Sequence, residues 1–215
     1  MKRYDCVIWD FNGTILDDVA IGIESINALL KRRGMKKISS VEEYRESFGF
    51  PIIKWYKDLG FDFEVEDYDA VANEWMSEYL SREKNAPLCR GALELMEHFY
   101  NKGVCQVIIS AAEINMLKRQ VEALKIDKYF NEIVGKSDIY ASGKSEIAQK
   151  WRARNPGDML FIGDTDHDLE TAKAIEADCV LVACGHQSYE RLTALARDEK
   201  IRIPVVKHMG DILSL

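Results

Sequence analysis

Residues Tyr4 to Thr14 read YDCVIWDFNGT, and the fold is decided here. Cys6, Val7, Ile8 and Trp9 make a short, nearly unbroken apolar run. Strands covered on both faces of a parallel sheet carry such runs, whereas half-exposed strands alternate. The run stops at Asp10, and Asn12-Gly13 supplies turn chemistry, because both residue types tolerate positive φ. A carboxylate directly after a buried strand stands at its carboxyl end, where open α/β sheets hold ligands. Taken alone, the stretch also fits a strand followed by an ordinary capped turn, so the downstream chain has to choose.

From Leu16 to about Asn85 the pattern is helical. Val19, Ile23, Ile26, Leu29 and Leu30 recur at three to four residues, with Asp17 and Asp18 as candidate caps and Gly34 as the stop. Ser39-Ser40-Val41-Glu42-Glu43 offers a capping box for a second helix, which Phe48-Gly49-Phe50-Pro51 interrupts. Ile52 to Leu59 and Asp67 to Arg82 make two more, the last with Val71, Trp75, Met76 and Tyr79 on one stripe, read as helix-block core. The character changes at Pro87. Strand candidates at Val104–Ile109, Ile133–Val134, Met159–Ile162, Cys179–Ala183 and Pro204–Val206 then alternate with helical segments. Regular alternation implies a parallel sheet with helices on both faces. The expected architecture is therefore α/β: a Rossmann-like core from residues 1–15 and 87–215, and an inserted all-helical cap over residues 16–86. An insert leaving the first strand at its carboxyl end hangs over the ligand edge.

Three apolar strands end in chemically specific residues: Asp10, Ser110 and Asp164, the last opening the acidic loop Gly163-Asp164-Thr165-Asp166-His167-Asp168. Between them, Gly143-Lys144-Ser145 puts a lysine at a helix start; Lys136 competes for that role but sits just after a strand. In a parallel sheet these ends converge. Clustered carboxylates repel unless something positive lies between them. A hard divalent cation with oxygen ligands, most plausibly Mg2+, resolves the repulsion, and Ser110 and Lys144 suit the oxygens of a phosphoryl group.

With these four motifs in order (DFNGT, VIIS, Lys144 and GDTDHD) the chain resembles the haloacid dehalogenase-like hydrolase superfamily, in its phosphoglycolate-phosphatase-like branch. The resemblance implies a Mg2+-dependent phosphatase acting on a small phosphorylated metabolite. It implies that Asp10 attacks phosphorus to give an aspartyl-phosphate, and that Asp10, Asp164, the backbone carbonyl of Asn12 and, directly or through water, Asp168 ligate the metal. Thr14, Ser110, Ala111 and Lys144 are implied to hold phosphate or orient the nucleophile.

One residue departs from the family pattern. Its phosphatases usually carry Asp two positions after the nucleophile as the acid–base residue, and here that position is Asn12. An amide neither gives nor takes a proton at neutral pH. General acid–base help is worth roughly 10²–10⁴-fold, so the enzyme is expected to be slow or selective for good leaving groups. Deamidation at Asn12-Gly13 is a second route to a carboxylate there. A catalytically silent binding protein, or less readily a dehalogenase, competes with the phosphatase reading.

The rest of the composition excludes other classes. A net charge of −7 over 215 residues argues against nucleic-acid binding. No window approaches the roughly 18 uncharged apolar residues of a membrane span. The five cysteines are scattered, odd in number and without a C-x-x-C pair, which suits reduced thiols in a cytoplasmic protein rather than a zinc site. His167 is expected to be a solvated helix-start residue and His186 a surface one.

Overall fold

A computed structural model describes residues 3–136, 143–199 and 203–215. Its strands are β1 (Cys6–Trp9), β2 (Cys105–Glu113), β3 (Glu132–Lys136), β4 (Met159–Gly163), β5 (Asp178–Val182) and β6 (Val205–Val206). They pair in parallel in the order β3-β2-β1-β4-β5-β6. The order reverses between β1 and β4, so Asp10 and Asp164 flank the switch point where such sheets bind ligands.

All four β1 side chains are buried, and their alternation divides them between two cores. Val7 and Trp9 meet α5 (Ala92–Asn101) and α6 (Ile114–Ala123) on one face. Cys6 and Ile8 meet the core containing α7 (Lys144–Arg152), α8 (Asp166–Ala174) and α9 (Tyr189–Arg197) on the other. Burial on both sides is what the unbroken apolar run required. Trp9 satisfies its indole N–H on Gln106 at 3.1 Å, so the largest β1 residue leaves no orphaned donor. One local reading needs correction and one element is new. β2 continues past Ser110 to Glu113, because pairing with β3 resumes at Glu113–Lys136 after a register slip. A 3₁₀ turn over Met209–Ser214, unforeseen in the sequence, buries Met209 and Ile212 against the first core.

Between β1 and β2 run α1 (Val19–Arg32), α2 (Val41–Ser47), α3 (Ile52–Asp58) and α4 (Tyr68–Leu80). They share an apolar core of their own around Ile26, Leu30, Tyr44, Trp55 and Val71. Ser40 caps α2 by accepting from the Glu43 N–H, and Glu43 returns the contact by accepting from the Ser39 N–H and hydroxyl. Asp67 caps α4 through the Ala70 N–H. Asp18 sits at the start of α1 but makes no cap bond there; its side chain turns inward. No helix among the described residues is long and apolar enough to cross a membrane.

Candidate active site

Asp10 follows β1, Asp164 follows β4, and Asp168 lies in the first turn of α8. One carboxylate oxygen from each falls within 4.8 Å of the others. Lys144, the first residue of α7 and only 3% exposed, donates to both Asp10 and Asp168. Lys136 ends β3 and does not line this cavity, so Lys144 is the lysine that the topology delivers. Burial, then the neighbouring Asp168, pushes the Asp10 carboxyl well above the usual range, with Lys144 opposing. Burial and Asp168 likewise raise Asp164 to about 6, although His186 pulls it down. Asp168 goes the other way. Burial acts against its charge, but Lys144 and the Thr165 hydroxyl and N–H hold it below the ordinary value. Burial alone would depress Lys144; Asp10 and Asp168 keep it above its usual value. Three oxygen donors with one ammonium between them remain short of positive charge, which is the donor chemistry that a hard divalent cation fits.

Supporting groups fix these carboxylates. Asp168 accepts from the Asp164 and Thr165 N–H groups and the Thr165 hydroxyl at 2.8–3.0 Å. Asp164 accepts from the His186 N–H at 2.7 Å and from Thr14 at 2.8 Å. Thr14 therefore turns toward Asp164 at the base of the site. Its hydroxyl is engaged by Asp164, it is fully buried, and it does not line the cavity. Ser110 is buried, lines the cavity and accepts from the Ala112 N–H at 3.1 Å, while Ala111 lies on the cavity wall beside it. Gly13, at φ +75°, and Gly185 pass so close to Asp164 that a Cβ added at either would overlap its Oδ2.

Asn12 lines the same cavity, and the groups around it were not legible in the sequence. Its amide donates to Asp18 at 2.8 Å and to the Tyr79 hydroxyl at 2.9 Å. Asp18 also accepts from Tyr79 at 2.7 Å and from the Gly13 N–H at 2.9 Å, and lies 3.2 Å from His186 Nε2. The other ring nitrogen of His186 meets Tyr44 at 3.0 Å. His186 is thus buried rather than superficial. Burial works against its charge, yet Asp18 raises it to about 9; burial works against Asp18 too, but His186 holds that carboxylate below its ordinary range. Deamidation at Asn12 is disfavoured by the same contacts, because the Gly13 nitrogen that would attack is already bonded to Asp18 and Leu16.

Above the carboxylates lies a cavity of about 240 Å³. Trp75 and Tyr79 stack at 5.1 Å and both line it, so the aromatic stripe expected to be helix-block core faces the site as well. Phe48 packs on His186 at 5.1 Å and Phe50 on His167 at 4.8 Å, which brings the loop after α2 down to the acidic centre. His167 is half-buried against that ring rather than solvated. Two arginines cross between the layers. Arg45 of α2 donates to the carbonyls of Gly185 and Cys184 at 2.8 and 2.7 Å. Arg191 of α9 donates back to the carbonyls of Arg45, Glu46 and Phe48.

A doubly covered parallel sheet with a buried acid–lysine cluster at its switch point places the chain in the Rossmann-like class. The chain belongs to the haloacid dehalogenase-like hydrolases, whose family model matches residues 7–182. A phosphoglycolate phosphatase of Pseudomonas fluorescens is 26% identical over 192 residues, covering 84% of this chain and 70% of that one. Among solved structures, a haloacid dehalogenase-like family protein of Streptococcus pneumoniae superposes with a TM-score of 0.75 at 18% identity, covering 98% and 97% of the two chains. Protein Tyrosine Kinase A of Mycobacterium tuberculosis reaches 0.81 at 18% identity over 100% and 98%. One fold thus appears under differently named activities, and the site has to carry the functional argument.

Proposed function

We propose that the protein is a Mg2+-dependent phosphatase that works through an aspartyl-phosphate on Asp10, with residues 16–86 as its cap. The observation that carries this reading is the meeting of Asp10, Asp164 and Asp168 within 4.8 Å, with Lys144 reaching Asp10 and Asp168. Asp10, Asp164 and the Asn12 carbonyl would hold the ion, with Asp168 close by. When bound, it would neutralise the carboxylates and the phosphoryl oxygens.

The protein's own groups account for the remaining steps. A carboxylate oxygen of Asp10 forms a bond to phosphorus while the bond from phosphorus to the leaving oxygen breaks, and the leaving group departs with that electron pair. Lys144 opposes the burial that pushes the Asp10 carboxyl up and offers positive charge to the phosphoryl group. Ser110 accepts from the Ala112 N–H, which leaves its own proton free to be donated to a phosphoryl oxygen. Water then attacks phosphorus as the bond from phosphorus to the Asp10 oxygen breaks, so that Asp10 leaves as the free carboxylate and the water's protons pass to the phosphate product and the solvent. Asn12 contributes position and no proton. The relatives named as phosphoglycolate phosphatases support the phosphatase class.

Phosphate release from acetyl phosphate and p-nitrophenyl phosphate, with and without Mg2+, tests the proposal, with Asp10→Asn as control. Expected is release that requires both Mg2+ and Asp10. Equal release after chelation, or full activity in Asp10→Asn, would refute it.

A further inference from the structure

We infer that the substrate's leaving group is an uncharged aromatic alcohol of about one ring, so that the enzyme hydrolyses small aryl phosphates in preference to carboxylate-bearing ones. The inference rests on the phosphatase reading above and adds the part of the substrate that the cap side of the cavity would take.

Three observations converge. The first is the wall. Away from the acidic centre the cavity is faced by Phe48, Phe50, Ile52, Trp75, Met76 and Met116. Aromatic faces and thioethers favour flat, polarisable rings. At about 240 Å³ the space lies below the roughly 300 Å³ at the low end of ordinary ligand sites, which suits a leaving group of about one ring.

The second is charge. Among the described residues, the basic side chains lining the cavity are Lys144, His167 and His186. Lys144 is held by Asp10 and Asp168, His186 by Asp18 and Tyr44, and His167 lies on Phe50 with Glu170 at 3.5 Å. Nearby, Arg45 and Arg191 point their guanidinium groups at backbone carbonyls. A leaving group that carries a carboxylate would bring a charge into an apolar enclosure already holding Asp18, with every nearby cation engaged. Burying an unpaired charge is strongly unfavourable.

The third is the proton. Asn12 turns its amide to Asp18 and Tyr79, and the Tyr79 hydroxyl is itself donated to Asp18. An alkoxide needs protonation as it departs. A phenoxide, whose conjugate acid has a pKa of about 10, leaves with little help. The missing acid and the aromatic wall therefore select the same chemistry.

The test compares phenyl phosphate, cyclohexyl phosphate and 2-phosphoglycolate on the wild-type protein with Mg2+, with acetyl phosphate as a small reference. Phenyl phosphate is expected to exceed 2-phosphoglycolate in kcat/KM by about 100-fold or more, on the scale of lost general-acid help. Cyclohexyl phosphate, equal in bulk but a poor leaving group, should match phenyl phosphate in its low KM and fall in kcat. The inference alone is overturned if 2-phosphoglycolate matches phenyl phosphate in kcat/KM, or if cyclohexyl phosphate saturates the enzyme no more readily than 2-phosphoglycolate does. It is likewise overturned if acetyl phosphate is hydrolysed and phenyl phosphate is not. Inertness of all four removes the phosphatase reading and this inference with it.

Discussion

Replacing Asn12 with Asp supplies the proton donor that this site lacks, and the surroundings of position 12 set the size of the effect. The new carboxylate would inherit a separation of 2.8 Å from Asp18. Two like charges at that distance repel by about 6 kcal/mol at an effective dielectric constant of about 20. That equals roughly four pK units, so the pair keeps one proton at neutral pH. His186, 3.2 Å from the other oxygen of Asp18, draws the negative charge toward Asp18 and leaves the proton on residue 12. A protonated carboxyl on the cavity wall is a general acid. For cyclohexyl phosphate in Asn12→Asp, kcat should rise by about 10²–10⁴-fold, or about 3–5 kcal/mol of barrier. Phenyl phosphate should gain far less. Steady-state phosphate release at pH 7 with Mg2+, both substrates side by side, measures the ratio. If the two rates move by one common factor, or the cyclohexyl rate stays put, the absent proton is not what limits the enzyme.

Three further outcomes follow from neighbouring residues. Asp18→Asn sets an amide where every partner of Asp18 offers a hydrogen, and should lower stability by about 3–5 kcal/mol in urea unfolding; an unchanged midpoint would contradict the buried pair. His186 binds its proton more tightly folded, at about 9, than unfolded, at about 6.5, so its contribution is full below about pH 6.5 and lost as pH rises through about 9. Chelator-treated wild type should therefore lose about 3 kcal/mol across that window while His186→Gln gives a flatter profile; parallel profiles would reject the assignment. In Gly185→Ala the added carbon, which collides with Asp164 Oδ2 and the Gly13 carbonyl, forces Asp164 aside, and Mg2+ affinity by calorimetry should fall about 10- to 100-fold. Wild-type affinity would mean that Asp164 does not hold the ion.

What could be read from the chain depended on how local the cause was. Asp10 and Asp164 declare themselves because each ends an apolar run, and parallel pairing of the two runs brings both to one sheet edge. Lys144 could be preferred over Lys136 because a helix start differs from a strand end in sequence. Asp18 could not be understood this way. Two consecutive aspartates before a helix signal capping, and only the turn through Gly13 aims one of them at Asn12 and at His186, 168 residues away. Trp75 and Tyr79 failed for another reason: helical period reveals a stripe but not which of two surfaces it meets. The Thr14–Asp164 bond was not legible either, because motif position marks proximity to the site without saying which way a hydroxyl turns.

The crossed arginines bear on how the two parts of the chain hold together. Because Arg45 reaches from the helical block into the α/β part and Arg191 reaches back, neither half can separate without stripping charged donors from main-chain oxygens on both sides. Charge-assisted bonds of this kind are roughly twice as strong as neutral ones. The helical block and the α/β part are thus fastened to each other from both directions, over the mouth of the cavity that both line.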